Sequence, residues 1–209
     1  MTKRLESKFH ICKKLNKSYK NIWGLPKGES LRSVKNKKTK KKKVSVYGKL
    51  LGVKQALKFF YCNMQEKAFK RVLKRSAKSP LTTLDRFVSF LEGRLDVVLF
   101  RSSFCSSLYK ARQMINHGNV IVNGLKVKDP GTQLFQLDVI ELKKSFIIES
   151  SEDNLILKGI KDNFSSRFLP PHLEIDYKSL SIIFLWDPNY KNTYYPIKAN
   201  YGIIHRFYR

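Results

Sequence analysis

One stretch decides the fold: FCSSLYKARQMINHGNVIVNG, residues 104–124. Its first half carries apolar residues every three or four positions, among them Leu108 and Ile115, as in a short helix with one buried face. Gly118 ends that helix, because glycine readily adopts the left-handed conformation found just past a helix. Short apolar runs then flank Asn123-Gly124, a dipeptide typical of a tight β-hairpin. The stretch therefore predicts a helix followed at once by a hairpin.

The polar residues of the same stretch suit an RNA ligand. Lys110, Arg112 and Gln113 lie off the apolar face of the predicted helix, and His117 and Asn119 follow at the turn. Cations attract phosphates, while a guanidinium fork and amide groups can hold sugar and base edges. We therefore predict an RNA-binding surface here. The alternative is a solvent-exposed helix with incidental charges.

The pattern predicts helices upstream of this stretch and mostly strands downstream. One helix is predicted from Val53 to Val72, with an apolar face opposite a basic one. A second helix, capped by Thr82, carries an apolar stripe that continues to Leu99. Further predicted elements are a strand near 139–142, a short helix at 155–161, paired strands at 173–177 and 181–186, and a last strand over 203–208.

The charge of the chain is strongly positive and uneven. There are 42 Lys and Arg against 16 Asp and Glu, a net charge of +26 over 209 residues. Such self-repulsion destabilises a compact protein unless a polyanion relieves it. The first 50 residues hold 17 basic and 2 acidic side chains, and Lys35–Lys43 is nearly all lysine. This segment predicts an arm that becomes ordered on RNA, with a solvated tail as the alternative.

The composition disfavours several other classes of protein. The longest apolar run, near Leu180–Trp186, is far shorter than the roughly 20 residues of a membrane span, so no membrane partner is expected. Cys12, Cys62 and Cys105 are odd in number and scattered, which argues against a disulfide framework. No two cysteines have zinc-ligand spacing, so neither a metal nor another cofactor is expected.

The chain resembles the family of ribosomal small-subunit protein four. Residues 111–124, ARQMINHGNVIVNG, match that family's pattern ARQ-x-(I/V)-x-HG-x-(I/V)-x-VNG. Residues 91–96, LEGRLD, resemble a second family segment, and residues 170–176, PPHLEID, resemble its P-x-x-LEVD strand. Tyr47-Gly48 resembles the start of a fourth segment. The order of these segments agrees from Tyr47 onward, so the resemblance extends well beyond a single motif.

Three positions depart from the family's pattern. Leu108 stands where the family usually has a cation, which removes an expected RNA contact. Lys110 stands where the family has Glu, and so places a cation at a helix N-terminus that favours an anion. The family's Pro-Gly-Asp turn is replaced by Gln136-Leu137-Asp138. Some members also bind zinc through four N-terminal cysteines, which this chain does not have.

The resemblance implies an α+β fold. A mainly helical body with C-terminal β-strands would carry an inserted small α/β RNA-binding domain. Residues 1–45 would form the basic arm, residues 46–91 and 166–209 the helical body with its strands, and residues 92–165 the inserted domain.

The resemblance also implies a structural constituent of the small ribosomal subunit. The protein would bind small-subunit rRNA at a multi-helix junction early in assembly and lie near the mRNA entry channel. Neighbouring proteins of the subunit, ribosomal protein five among them, would be partners. Richness in Lys, Asn, Ile, Phe and Tyr indicates an AT-biased genome, and the first residues resemble the family's start, so no cleaved presequence is expected. A mitochondrially encoded protein of the matrix ribosome is the first choice, with a plastid or the bacterial cytoplasm as alternatives.

The predicted rRNA-binding residues are the cations of the arm and the helices, with the polar residues of the opening stretch. They are Lys3, Arg4, Lys8, Lys13, Lys14, Lys37, Lys38, Lys40, Lys41, Lys42, Lys43, Tyr47, Lys49, Lys54, Lys58, Lys70, Arg71, Lys74, Arg94, Arg101, Lys110, Arg112, Gln113, His117, Asn119, Asn123 and Lys126.

The main alternative is an RNA-acting enzyme, because pseudouridine synthases, tyrosyl-tRNA synthetases and RNA methyltransferases carry the same small fold. Residues 93–96 match the GRLD motif of pseudouridine synthases, in which the Asp is catalytic. In those enzymes the motif follows the small fold, whereas here it continues into apolar Val97–Phe100, so Asp96 is predicted to be a structural residue in a salt bridge. No nucleotide-binding or metalloprotease motif is present, and we predict no enzyme. A free-standing RNA chaperone is the third possibility, but such a protein would be shorter.

Overall fold

The computed structural model describes residues 45–80, 82–143 and 168–195, with residues 204, 207 and 208. The chain divides into two compact units. Met1–Leu73 and Tyr195–Arg209 make up the N-terminal unit, and Lys74–Tyr194 make up the central unit. The arm predicted over residues 1–45, apart from Ser45, and the short helix predicted at 155–161 lie outside the described residues.

The N-terminal unit is built on helix α1, Val46–Phe60, and the first part of helix α2, Glu66–Ala77. The Ser45 side chain caps α1 by accepting a hydrogen bond from the Gly48 amide at 3.1 Å. Aromatic side chains pack against one another in the core of this unit. Among them, the hydroxyls of Tyr61 and Tyr195 lie 2.6 Å apart in a hydrogen bond.

The single helix predicted from Val53 to Val72 is wrong, because the chain breaks between α1 and α2. Cys62 and Asn63 have φ angles of 58° and 51°, a left-handed conformation that interrupts a right-handed helix. Cys62 and its neighbour Tyr61 are nevertheless buried. The turn therefore adds apolar side chains to the core at helical spacing, which is why the sequence resembles an unbroken helix.

Three helices of the central unit follow: α3, Thr83–Glu92; α4, Leu95–Arg101; and α5, Leu108–Asn116. Thr82 caps α3 as predicted, since its hydroxyl accepts a hydrogen bond from the Asp85 amide at 3.3 Å. The apolar stripe that was predicted to continue along one helix to Leu99 is divided between α3 and α4, because residue 94 is extended.

Residues 93–96 join these helices to a later loop. A side-chain carbon at Gly93 would lie 2.4 Å from the side-chain Nε2 of Gln133 and 3.0 Å from the Ser89 carbonyl oxygen, so a larger residue here would displace the Gln133 side chain. The Leu134 amide donates to the Gly93 carbonyl at 2.8 Å, and the Leu95 amide donates to the Thr132 carbonyl at 3.0 Å. These bonds fix the start of α4 against the 130–134 loop.

The central unit also contains an antiparallel five-stranded sheet in the order β2-β1-β3-β5-β4. The predicted hairpin and the predicted pair of C-terminal strands are confirmed. β5 pairs with β3 as well as with β4. One sheet therefore combines β3, from the predicted inserted domain, with β4 and β5, from the predicted helical body. The predicted domain boundaries at 92 and 165 stay a prediction. The strands are β1 Val120–Val122, β2 Leu125–Lys126, β3 Asp138–Leu142, β4 Leu173–Asp176 and β5 Ser181–Phe184.

The core of the central unit lies between α4, α5 and one face of the sheet. Leu99 and Ile115 pack from the helices, and Ile140, Ile182 and Phe184 pack from the strands; all five side chains are essentially inaccessible to solvent. Helices packed on an antiparallel sheet confirm the predicted α+β class.

The last strand predicted over 203–208 is wrong where the structure describes it. The structure describes three residues of this range, and of these Ile204 and Phe207 are helical. Within the ranges that the structure describes, no helix is both long and apolar enough to cross a membrane.

Candidate nucleic-acid interface

Helix α5 has a capping residue at its start and ends at the residue that its sequence predicts. The Ser107 hydroxyl accepts a hydrogen bond from the Lys110 amide at 3.3 Å. Gly118 follows the helix with a φ angle of 71°, which confirms the predicted left-handed end. The Lys126 side chain lies against Gly118, because a carbon added there would be only 2.0 Å from Lys126 Cε. The hairpin therefore brings its lysine to the end of α5.

The outer side of α5 presents polar groups to solvent. Lys110, Gln113 and His117 are exposed and follow one another at spacings of three and four, so they share one side of the helix. Lys126 is exposed beside them. We call these four residues the α5 face. Two cations, an amide and an imidazole are thus placed together where the end of α5 meets the hairpin.

The two asparagines of the hairpin have internal partners. Asn123 accepts a hydrogen bond from the Val139 amide at 2.9 Å and donates one to the Asp138 carboxylate at 2.8 Å. Its φ angle of 49° fits the turn that the Asn-Gly pair predicts. Asn119 is half-buried, and its carbonyl accepts from the Lys143 amide at 2.9 Å. The Asn123 side chain therefore fixes the hairpin, and RNA contact by either asparagine stays a prediction.

Arg94 and Arg112 meet at one buried carboxylate. Asp96 is 1% exposed. It accepts hydrogen bonds from Arg94 Nε at 3.1 Å, Arg94 Nη2 at 2.7 Å and Arg112 Nε at 2.9 Å. The predicted salt-bridged role of Asp96 is confirmed, while the predicted RNA-binding role of both arginines stays a prediction.

Arg101, which the sequence analysis predicts to bind rRNA, has partners inside the protein. Arg101 is buried, and its guanidinium donates to both carboxylate oxygens of Glu92 at 2.8 and 2.9 Å. Arg101 Nη1 also donates to the Tyr194 carbonyl at 2.8 Å. Such a buried fork-to-fork pair ties α3 to α4. Arg101 thus forms an internal ion pair that the sequence prediction did not include, and its contact with rRNA stays a prediction.

In the N-terminal unit, two predicted RNA-binding cations are also paired internally. Lys54 and Lys58 contact the Glu66 carboxylate at 3.1 and 2.6 Å. Partial burial by itself would raise the Glu66 pKa, but hydrogen bonds from Lys58, Tyr208 and Lys54 lower it to about 2. Lys54 is buried, and its ammonium lies 4.0 Å from the Phe207 ring centre. These contacts give Lys54 and Lys58 a structural role.

Other predicted cations remain accessible. Tyr47 is 61% exposed and stacks on Phe207 at 5.6 Å. The sequence prediction did not include Lys67 and Lys128, which are also exposed. Lys67 lies three residues before Lys70 on the same side of α2, and Lys128 lies two residues after Lys126, so their spacing could have identified both. The predicted residues from Lys3 to Lys43 lie outside the described residues. The exposed members of the predicted set on α1 and α2 are Tyr47, Lys49, Lys70, Arg71 and Lys74.

The described residues contain no group of three or more His, Cys, Asp or Glu side chains that could hold a metal ion.

Comparison with known proteins defines the class of this fold and surface. The S4 domain family matches residues 93–135, which include the GRLD segment, α5 and the hairpin. The protein therefore contains an S4 domain, an RNA-binding fold.

Comparison over the full length defines the family. Small ribosomal subunit protein uS4 of Caulobacter vibrioides (strain NA1000 / CB15N) is 32% identical over 212 residues, covering 100% of this chain and 99% of that protein. The uS4 proteins of Ruegeria sp. (strain TM1040) and Phenylobacterium zucineum (strain HLK1) are each 31% identical, again over 100% of this chain and over 98% and 99% of their own lengths. The chain belongs to the family of small ribosomal subunit protein uS4, a family of ribosomal proteins and not of enzymes.

Proposed function

We propose that this protein is a constituent of the small ribosomal subunit that binds small-subunit rRNA directly. The α5 face is the observation that carries the proposal. Its Lys110 and Lys126 supply charge for phosphates, and its Gln113 and His117 supply groups that can reach sugar and base edges. Lys110 also stands in the first turn of α5, where a phosphate would relieve the repulsion between its ammonium and the helix dipole.

The finer parts of the proposal rest on the family relationship and on charge. We propose a multi-helix rRNA junction as the binding site, a role early in subunit assembly, and a position near the mRNA entry channel beside ribosomal protein five. A charge of +26 supports contact with many phosphates. The predicted arm, with Lys35–Lys43, supplies much of that charge.

We propose that the protein works in mitochondria. Its richness in Lys, Asn, Ile, Phe and Tyr supports an AT-biased genome such as that of an organelle. A plastid or a bacterial cytoplasm is the alternative, and detection of the protein in purified mitochondrial ribosomes would decide between them.

The test is binding of the full chain to two RNAs over a range of salt. One is a junction fragment of the small-subunit rRNA from the same genome, and the other is a random duplex of equal length. Each phosphate contact adds about −0.7 to −0.9 to the slope of log K against log salt, so roughly six contacts predict a slope steeper than about −4. A slope shallower than about −3, or equal affinity for both RNAs, would contradict the proposal.

A matched pair of lysine variants tests the α5 face itself. Lys110→Gln removes one charge from the face, and Lys191→Gln removes one exposed charge from the 3-10 helix Tyr190–Asn192. We expect Lys110→Gln to weaken junction binding by about tenfold, the cost of a charge-assisted contact. Lys191→Gln should weaken it much less. Equal losses would show that only total charge matters.

A further inference from the structure

Asp96 is the residue that the proposed function leaves without a role. It lies at the second position of α4, and its amide donates to the Pro130 carbonyl at 3.3 Å, so its backbone is held by the loop before β3. Leu95 and Leu99 on either side are buried in the core of the central unit. The carboxylate is therefore fixed in place by both the helix and the loop.

This fixed carboxylate holds arginines from two different elements. Arg94 lies between α3 and α4 and binds it through two nitrogens, at 3.1 and 2.7 Å. Arg112 comes from α5 and binds it through Nε at 2.9 Å. The Asp96 side chain is 2% exposed, whereas the Arg112 side chain is 30% exposed. One buried acid thus orients a guanidinium of α5 that is partly exposed to solvent.

For attraction of RNA by charge alone, a carboxylate at this place is a disadvantage. It cancels one of the positive charges of Arg94 and Arg112, and phosphate is attracted to positive charge. Burial of a carboxylate is also costly unless it is paired and hydrogen-bonded. Asp96 therefore weakens the electrostatic attraction of RNA to this surface. If it nevertheless favours RNA binding, it does so by fixing the orientation of the arginines.

We infer that Asp96 is a positioning residue for RNA recognition. It holds the planar guanidinium of Arg112 in one orientation, so that Arg112 meets a defined phosphate or base edge. A fixed guanidinium fork can hold two acceptor atoms at once, which a point charge such as an ammonium does not. The inference rests on the proposed function, because it adds a second RNA-contacting position on α5. It predicts that Asp96 favours the cognate RNA while it disfavours RNA in general.

The sign of this effect supplies the test. In the full chain, Asp96→Asn removes a negative charge, so charge alone predicts tighter binding to every RNA. We expect the opposite for the cognate junction fragment, a loss of about tenfold, since an oriented fork contact is lost. Binding to the random duplex should be unchanged or tighter. If both affinities rise together, or if neither changes, Asp96 has no positioning role.

Glu174→Gln is the matched control, because it removes one exposed carboxylate from β4 of the same unit. It should leave the ratio of the two affinities unchanged. A change in that ratio as large as that of Asp96→Asn would overturn the inference. The wild-type chain separates this question from the proposed function: if it does not prefer the junction to the duplex, the proposed function fails first.

Two further variants keep the inference testable if Asp96→Asn does not melt cooperatively. Asp96→Glu keeps the charge but moves the carboxylate by one methylene, so it should lower junction affinity and leave duplex affinity unchanged. Junction affinity equal to wild type would overturn the inference. Arg112→Lys keeps the charge but loses the fork, and its effect should not add to that of either Asp96 variant. Fully additive losses would show that Asp96 does not act through Arg112.

Discussion

Leu137 has the left-handed backbone conformation that side chains other than glycine rarely adopt. Its φ angle is 68°, and its side chain is 72% exposed. It stands where the resembling family has the glycine of a Pro-Gly-Asp turn. The Leu137 amide donates to the Phe184 carbonyl at 2.7 Å, which ties the residue to the end of β5. The hydrogen bond therefore holds the leucine in a conformation that costs energy.

Leu137→Gly should stabilise the central unit by up to about 1 kcal/mol. The left-handed conformation costs a side chain roughly 1–2 kcal/mol, and the greater freedom of glycine in the unfolded chain offsets part of this gain. The measurement is the midpoint of denaturant unfolding. Leu180 is the matched control, because it has a φ angle of 57° but is buried. Leu180→Gly should cost about 2–5 kcal/mol of packing. A loss of stability in both variants would mean that Leu137 packs more than its exposure indicates.

At the scale of single elements, α5 and the hairpin could be predicted because each boundary has its own residue. Ser107 caps the helix, Gly118 ends it, and Asn123-Gly124 makes the turn. These are local effects that neighbouring residues in the sequence determine. The exposed side of α5 follows from helical spacing alone, so the accessible residues Lys110, Gln113 and His117 could be predicted as well.

The helix breaks could not be predicted, because tertiary packing decides them. Cys62 and Asn63 turn the chain without glycine or proline. At the Gly93-Arg94 break, the backbone of Gly93 and Leu95 is hydrogen-bonded to Leu134 and Thr132, which are distant in the sequence. The partners of the charged residues could not be predicted either, because the buried ion pair of Arg101 joins it to Glu92 on another helix. A charge count along the sequence gives every arginine the same weight, whereas the fold separates Arg101 from Arg112 by their exposure.

The start of β4 carries a pH-sensitive residue. His172 is 1% exposed, and its ring packs edge-on against Phe184 at 5.8 Å. Neither ring nitrogen has a hydrogen-bond partner among the residues that the structure describes. Burial lowers the pKa of His172 from 6.5 to about 4; the nearby Glu92 and Asp187 oppose this and Arg101 adds to it. The folded protein therefore holds His172 neutral at pH values where the unfolded chain protonates it.

We expect the free energy of unfolding to fall by roughly 3 kcal/mol as the pH falls from 6.5 to 4, since each tenfold change in proton affinity is worth about 1.4 kcal/mol. Above pH 6.5 the effect vanishes, because His172 is neutral in both states. His172→Phe should flatten the profile in this window when unfolding is followed by denaturant titration at each pH. Glu66, whose pKa is lowered from 4.5 to about 2, adds a separate loss of stability that begins near pH 4.5, at the lower end of this window, and continues toward pH 2. An unchanged slope in His172→Phe would assign the loss to other groups.

At the scale of the whole molecule, the most basic segment and the buried core of the central unit lie in different parts of the chain. The first 50 residues carry 17 of the 42 basic side chains. The buried cluster between the helices and the sheet of the central unit, in contrast, is formed by residues from Leu95 to Phe184 in the described part of the chain. We expect deletion of residues 1–44, which spares the cap Ser45, to weaken binding to junction and duplex RNA alike. The melting transition of the central unit should remain cooperative and near its original temperature. A broad, non-cooperative melt would show that the arm is part of the folded structure.

The strand order has a consequence for synthesis of the protein. β3 ends at Leu142, yet its neighbour β5 begins only at Ser181, so the two halves of the sheet are far apart in the chain. On a translating ribosome, α5 and the hairpin emerge well before the strands that complete their core. During that interval the nascent chain exposes an unpaired, apolar edge at β3, which is a template for pairing with the wrong chain. Emergence of Phe184 from the exit tunnel ends this interval.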